Sequence, residues 1–172
     1  MMSGNAMINE EQYRKAYRMY LSAKGFLSTA KLLFQYRKDA MRLFTYYAYP
    51  LSVNASFSCE LFLKTLLTLD EINYEKKHSL SDLYFLLPEK GKVCLENEYA
   101  KGGSKTTVEA MIETYKNAFV EWRYLFDPEY NGKTLTLVWT DFLELCTAMQ
   151  IETKRKLKEY PCFDEFNVEG EN

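Results

Sequence analysis

At 172 residues, 47% of them apolar and with fourteen Tyr and eleven Phe, the chain can bury one substantial core without metals or crosslinks. Its 22 Lys and Arg against 24 Asp and Glu exclude a duplex binder that works through overall positive charge, while leaving local basic patches open. Four cysteines (Cys59, Cys94, Cys146, Cys162) without a CxxC pair, beside a single histidine, argue against a Cys/His zinc site and for isolated buried thiols.

Only four Pro and seven Gly interrupt long periodic runs, which predicts an all-α protein. The N-terminus lacks the charged-then-apolar layout of a signal peptide, and no apolar run reaches membrane-spanning length. A cytoplasmic chain with no membrane partner and no cofactor is therefore expected. Residues 1–8 read as a loose N-terminus, 9–160 as one helical domain, and 161–172 as a loose acidic tail.

Asn9 followed by Glu10, Glu11 and Gln12 is a helix start, with a capping side chain and acids in the first turn. Tyr13, Tyr17, Tyr20, Lys24 and Leu27 follow at helical spacing, and Gly25 need not end the run. The polar segment Tyr36–Asp39 predicts a break, with Asp39 capping a second helix from about Ala40 to Leu69. Pro50 bends that helix, so its packed half starts at Leu51. Leu51, Ala55, Cys59, Phe62, Leu66 and Leu69 form one stripe, and Val53, Phe57, Leu61 and Leu67 populate the far side. A helix apolar almost all round is the central one.

Asp70–Lys77 is a polar connection. Ser79 and Asp82 then form a capping box for a short helix Leu80–Leu87, closed by Pro88. Glu89–Ala100 predicts another helix, and Lys101–Lys105 with its Gly-Gly pair a loop. Thr106 or Thr107 opens a helix whose stripe Val108, Met111, Tyr115, Ala118, Phe119, Trp122 and Phe126 ends at Asp127-Pro128. A last helix carries Leu135, Val138, Trp139, Phe142, Leu145, Cys146 and Met149 and runs to about Tyr160. The expected architecture is an up-and-down bundle of five to six helices.

The segments ELFLKTLL, KHSLSDLYFLL and AFVEWRYLFD, in this order, resemble the HEPN superfamily of helical domains. That pattern joins an E…LK helix (Glu60, Leu63, Lys64), an H-x-L-x-x-L turn (His78, Leu80, Leu83) and a later helix with an Arg, often Arg-Tyr (Arg123, Tyr124). The resemblance covers roughly residues 30–126. It implies a helical bundle that pairs as a homodimer, with a role in RNA cleavage by toxins or defence effectors, or in partnership with a small nucleotidyltransferase. Catalytic members place a His four to six residues after the Arg. Here Arg123 is followed by YLFDPEYNG, and no His occurs after His78. Ribonuclease activity is thus not carried over, since metal-independent RNA cleavage relies on a group that moves a proton near neutral pH.

Each singled-out residue has a plain packing role beside a functional one. Arg123 pairs with Asp127 or Glu60, or else contacts a phosphate at a dimer cleft. Glu60 and Lys64 have the acid-first spacing of an intrahelical pair, and the Glu60 carboxylate is also expected to reach Arg123 across helices. His78 anchors its turn by a hydrogen bond, or replaces the missing catalytic histidine. Asn54 and Ser58 line a polar cleft, or bond backbone of a neighbouring helix. The cations Lys154, Arg155, Lys156 and Lys158 complement a helix C-terminus or touch RNA. The expected function is a non-catalytic binding or regulatory module in nucleic-acid processing or defence. An unusual ribonuclease and a structural bundle with no nucleic-acid role are the alternatives.

Overall fold

The seven-residue repeats of the first helix set how the chain packs. In α1 (Glu10–Asp39), Tyr13, Tyr20 and Leu27 recur every seven residues, and Ala16, Ala23 and Ala30 follow three positions behind. All six are buried. The alanines let α1 lie close along α2 (Phe44–Leu69), with the Tyr20 ring 6.1 Å from that of Phe62. The computed structural model describes residues 9–39, 44–119 and 139–160. Among these, four further helices complete an all-helical bundle: α3 (Leu80–Leu86), α4 (Glu89–Ala100), α5 (Val108–Thr114) and α6 (Trp139–Leu157).

α2 is the central helix, packed against α1, α3 and α6. The expected stripe from Leu51 to Leu69 is buried throughout, and Leu63 and Leu67 are buried beside it. Complete burial of each such Leu or Phe contributes about 1.5–3 kcal/mol. Phe57, on the far side, meets Phe26 of α1 edge-to-face at 4.6 Å and stacks on Phe119 at 4.8 Å between centroids. Pro50 lies inside α2 without ending it, and its carbonyl accepts from Asn54 Nδ2 at 2.6 Å.

Asn9 Oδ1 accepts from Gln12 N–H at 2.8 Å, as a cap should. The predicted break at Tyr36–Asp39 is corrected: α1 continues through these residues, and Asp39 is its last residue rather than the cap of α2. Polar composition alone does not end a helix when no glycine or proline interrupts it. Gly25 sits in unbroken helix, where a Cβ would meet nothing within 4 Å. A glycine at such a position costs about 1 kcal/mol relative to alanine.

Ser79 and Thr107 cap α3 and α5 as expected, accepting from Asp82 N–H and Ala110 N–H. The single long helix expected from Thr107 to Phe126 is corrected. α5 ends at Thr114, and Tyr115 N–H to Met111 O and Ala118 N–H to Tyr115 O tighten the chain into a turn. The Lys116 carbonyl, exposed by that turn, accepts from Leu80 N–H at 2.9 Å and satisfies a first-turn donor of α3. Trp122, Arg123, Tyr124, Phe126, Asp127, Tyr130, Leu135 and Val138 lie outside the described residues, as do 1–8 and 161–172.

α6 ends at Leu157, followed by a turn to Tyr160. Tyr160 Oη donates to the Leu69 carbonyl at 2.7 Å, and its ring lies 5.8 Å from that of Tyr13, tying the ends of α1, α2 and α6 together. Burial and the nearby Asp70, Glu159 and Glu71 push the Tyr160 hydroxyl above its usual pKa. No described helix is long and apolar enough to cross a membrane.

Candidate functional site

Glu60 lies on a buried flank of α2, where a carboxylate is tolerated only with partners. Its side chain is 2% exposed. Oε1 receives Lys64 Nζ at 2.8 Å from one turn on, and His78 Nδ1 at 2.9 Å from the far end of the connector. An ionised carboxylate only accepts, so Nδ1 carries the proton of this bond. Lys64 is 15% exposed and His78 64% exposed. The second oxygen, Oε2, is buried and has no hydrogen-bond partner among the described residues.

The path of residues 70–79 makes this convergence possible. α2 ends in a paired-bond stop: Ile72 N–H reaches the Leu67 carbonyl at 2.9 Å and Glu71 N–H the Thr68 carbonyl at 3.1 Å. That places Glu71 at φ 56, a left-handed position usually held by glycine. Asn73 Oδ1 then accepts from Glu75 N–H, and Lys77 N–H to Tyr74 O closes a turn with Lys76 at φ 64. Tyr74 is pinned between helices: its Oη meets Thr68 Oγ1 at 3.0 Å, with Lys64 Nζ 5.8 Å and Lys15 Nζ 6.0 Å from its ring centroid. The chain therefore arrives at His78 in register with Glu60, just before the Ser79 cap.

Three of the five candidate binding residues, Glu60, Lys64 and His78, thus share one carboxylate oxygen. Asn54 is not among them; its amide is bound to the Pro50 carbonyl within its own helix. Arg123 lies outside the described residues; among those described, the bonded partners of Glu60 are Lys64 and His78. Ser58, expected to line a cleft or bond backbone, is fully buried, and its Oγ has no hydrogen-bond partner among the described residues.

Two cations at the basic end of α6, Arg155 and Lys156, are paired with acids. Arg155 holds buried Glu152 with two bonds, Nε to Oε2 at 2.8 Å and Nη2 to Oε1 at 2.6 Å, and also pairs with Glu159. Lys156 pairs with Asp70. Glu152 chiefly drives the Arg155 pKa up, against the opposing effect of burial. These groups line a cleft of about 340 Å³ with Glu71, Lys90 and Cys94. Its mixed charges fit the helix-end reading of the basic cluster better than a run of phosphates.

Sequence reasoning missed a sulfur cluster between α2 and α6. Cys59 Sγ lies 3.2 Å from Met149 Sδ, and Cys146 Sγ donates to the Ala55 carbonyl at 3.5 Å. Burial, and then Cys146, raise the Cys59 thiol pKa well above its ordinary value, making it an inert packing group. Cys59 and Cys146 were visible only as separate stripe members. Among the described residues no group of three or more His, Cys, Asp or Glu side chains is placed to hold a metal ion. Compared with known families, with characterised proteins and with solved structures, the chain matches none.

Proposed function

We propose that this chain is a non-catalytic, HEPN-like binding or regulatory module that acts as a homodimer in nucleic-acid processing or defence. The observation that carries this reading is the shared bond of Glu60, Lys64 and His78. The E…LK helix and the H-x-L-x-x-L turn meet through the polar residues that define them, and they meet in a structural anchor. In this reading the bundle built on that anchor binds an RNA or a small nucleotidyltransferase. The test is purified protein incubated with structured and transfer RNA, and separately with a small nucleotidyltransferase. A stable complex without turnover supports the module. No complex with either leaves only a structural bundle.

One observation favours the alternative, a metal-independent ribonuclease. His78 has its Nδ1–H held by a buried carboxylate while most of its ring faces solvent, so Nε2 is the atom left to exchange a proton. In that reading Arg123 holds the phosphate and His78 moves the proton. Both Arg123→Ala and His78→Ala then abolish cleavage. Intact RNA after long incubation with the wild type eliminates it.

A further inference from the structure

The outward face of α1 has no packing partner among the described residues. At about 100° per residue, Arg18, Leu21, Gly25, Ser28, Leu32 and Tyr36 share one stripe opposite the buried alanine seam. Leu21, Leu32 and Tyr36 are 46%, 52% and 54% exposed, a concentration of large apolar side chains on one helix face. From Leu21 to Tyr36 the only charges are Lys24 and Lys31, both on one flank, and Lys24 Nζ leans 5.6 Å from the Tyr20 ring. Gly25 lies in the middle with open space above it. It has neither a positive φ nor a neighbour that would require glycine, so its helix-weakening presence is unexplained by the protomer.

The stripe is complementary to itself. Laid antiparallel about a two-fold axis between Phe26 and Leu27, each member meets a suitable one in the second copy. Leu21 faces Leu32 and Gly25 faces Ser28, while Arg18 falls one residue from the position opposite Tyr36, within reach of its ring. Isologous pairing repeats each contact, and the missing Cβ of Gly25 lets the two backbones approach at the crossing point. No residue within this stretch of the face brings a like charge to the centre of the contact.

We infer that a second copy of this chain docks on the outer face of α1, antiparallel and crossing between Phe26 and Leu27, where Gly25 faces Ser28. The inference rests on the homodimer reading and specifies the surface used. The contact spans about 22 Å of helix, less than an interface of standard size, so the dimer is weak and concentration-dependent.

Sedimentation velocity of the full chain from about 1 to about 300 µM tests it. The wild type is expected to pass from monomer to dimer, and Leu32→Arg and Gly25→Leu to raise the dissociation constant at least about tenfold. Gly25→Ala separates the contact from fold stability, because it should raise the melting temperature of dilute protein while weakening self-association. Should Leu32→Arg fail to fold by circular dichroism, Tyr36→Glu takes its place. A dimer unaffected by these changes overturns the α1 face and leaves the homodimer reading intact. A wild type that stays monomeric throughout overturns both.

Discussion

Replacing Glu60 by Gln tests the anchor at its centre. The amide keeps the volume and one acceptor for His78, but removes the charge opposite Lys64, which is only 15% exposed. At the 2.8 Å separation of the pair, an effective dielectric of about 20 gives a raw attraction of about 6 kcal/mol. Most of that is offset by the desolvation already incurred on burying both groups, and breaking a fully buried pair costs about 3–5 kcal/mol. Because Lys64 retains some solvent, the expected loss for Glu60→Gln is about 2–3 kcal/mol. His78 is 64% exposed, so His78→Ala is expected to cost under about 1 kcal/mol despite its comparable distance to the same oxygen. Lys64→Met should fall between, since its stem still packs and Glu60 keeps His78.

Urea unfolding followed by circular dichroism measures all three, with the midpoint shift at constant m as the readout. In a chain of this length, 2–3 kcal/mol also corresponds to roughly 4–12 °C in melting temperature. A Glu60/Lys64 double-mutant cycle should return a coupling of about 1–2 kcal/mol. The reasoning is refuted if Glu60→Gln costs less than about 0.5 kcal/mol, or if His78→Ala costs as much as Glu60→Gln.

Glu71→Gly should stabilise the fold by about 0.5 kcal/mol, because glycine holds φ 56 without a Cβ clash; equal or lower stability in urea would show that the Glu71 side chain compensates the strain. Arg155→Lys should cost about 1 kcal/mol by the same measurement, since an ammonium cannot reproduce both bonds to buried Glu152, and a neutral result would contradict the two-bond geometry. Burial, with Glu96, Glu109 and Glu89 nearby, pushes the Tyr84 hydroxyl up to about 12. The folded state then holds this proton more tightly than the unfolded chain, so the contribution is complete below pH 10 and lost as pH rises towards 12. Tyr84→Phe should flatten that part of an alkaline stability profile, and an unchanged slope would exclude Tyr84 as its source. Glu113 is shifted the other way by its bonds to Lys116 and Ser81, so its contribution is present above pH 4.5 and lost on acidification. Glu113→Gln should make the acid limb shallower, read by urea unfolding between pH 5 and 3.

What could be read from the sequence was what depends on neighbours along the chain. The α2 stripe, both ends of α4, and the caps Ser79 and Thr107 are set by spacing, by Pro88 and by hydroxyls one turn before their targets. The Glu60–Lys64 pair was legible for the same reason. What escaped depends on distant segments. The end of α5 at Thr114 is matched to a donor on Leu80, and nothing between Thr107 and Phe126 signals it. The bond from His78 to Glu60 requires a connector that reverses through Glu71 and Lys76 at positive φ, where neither glycine nor asparagine marks the turn. The same distinction applies to the motif. A family pattern of Glu, Lys and His separated along the chain reads as a possible set of chemical groups, because sequence order carries no information about which atom each one reaches. Placed in space, Lys64 and His78 both reach a single buried oxygen of Glu60, and two of the three polar groups are consumed in holding the third. Any chemistry still open to the anchor therefore passes through the outer nitrogen of His78, and His78→Gln tests the proposed RNA complex there: a complex kept by the variant assigns the residue to the frame, and a complex or cleavage lost from a folded variant assigns it to the ligand.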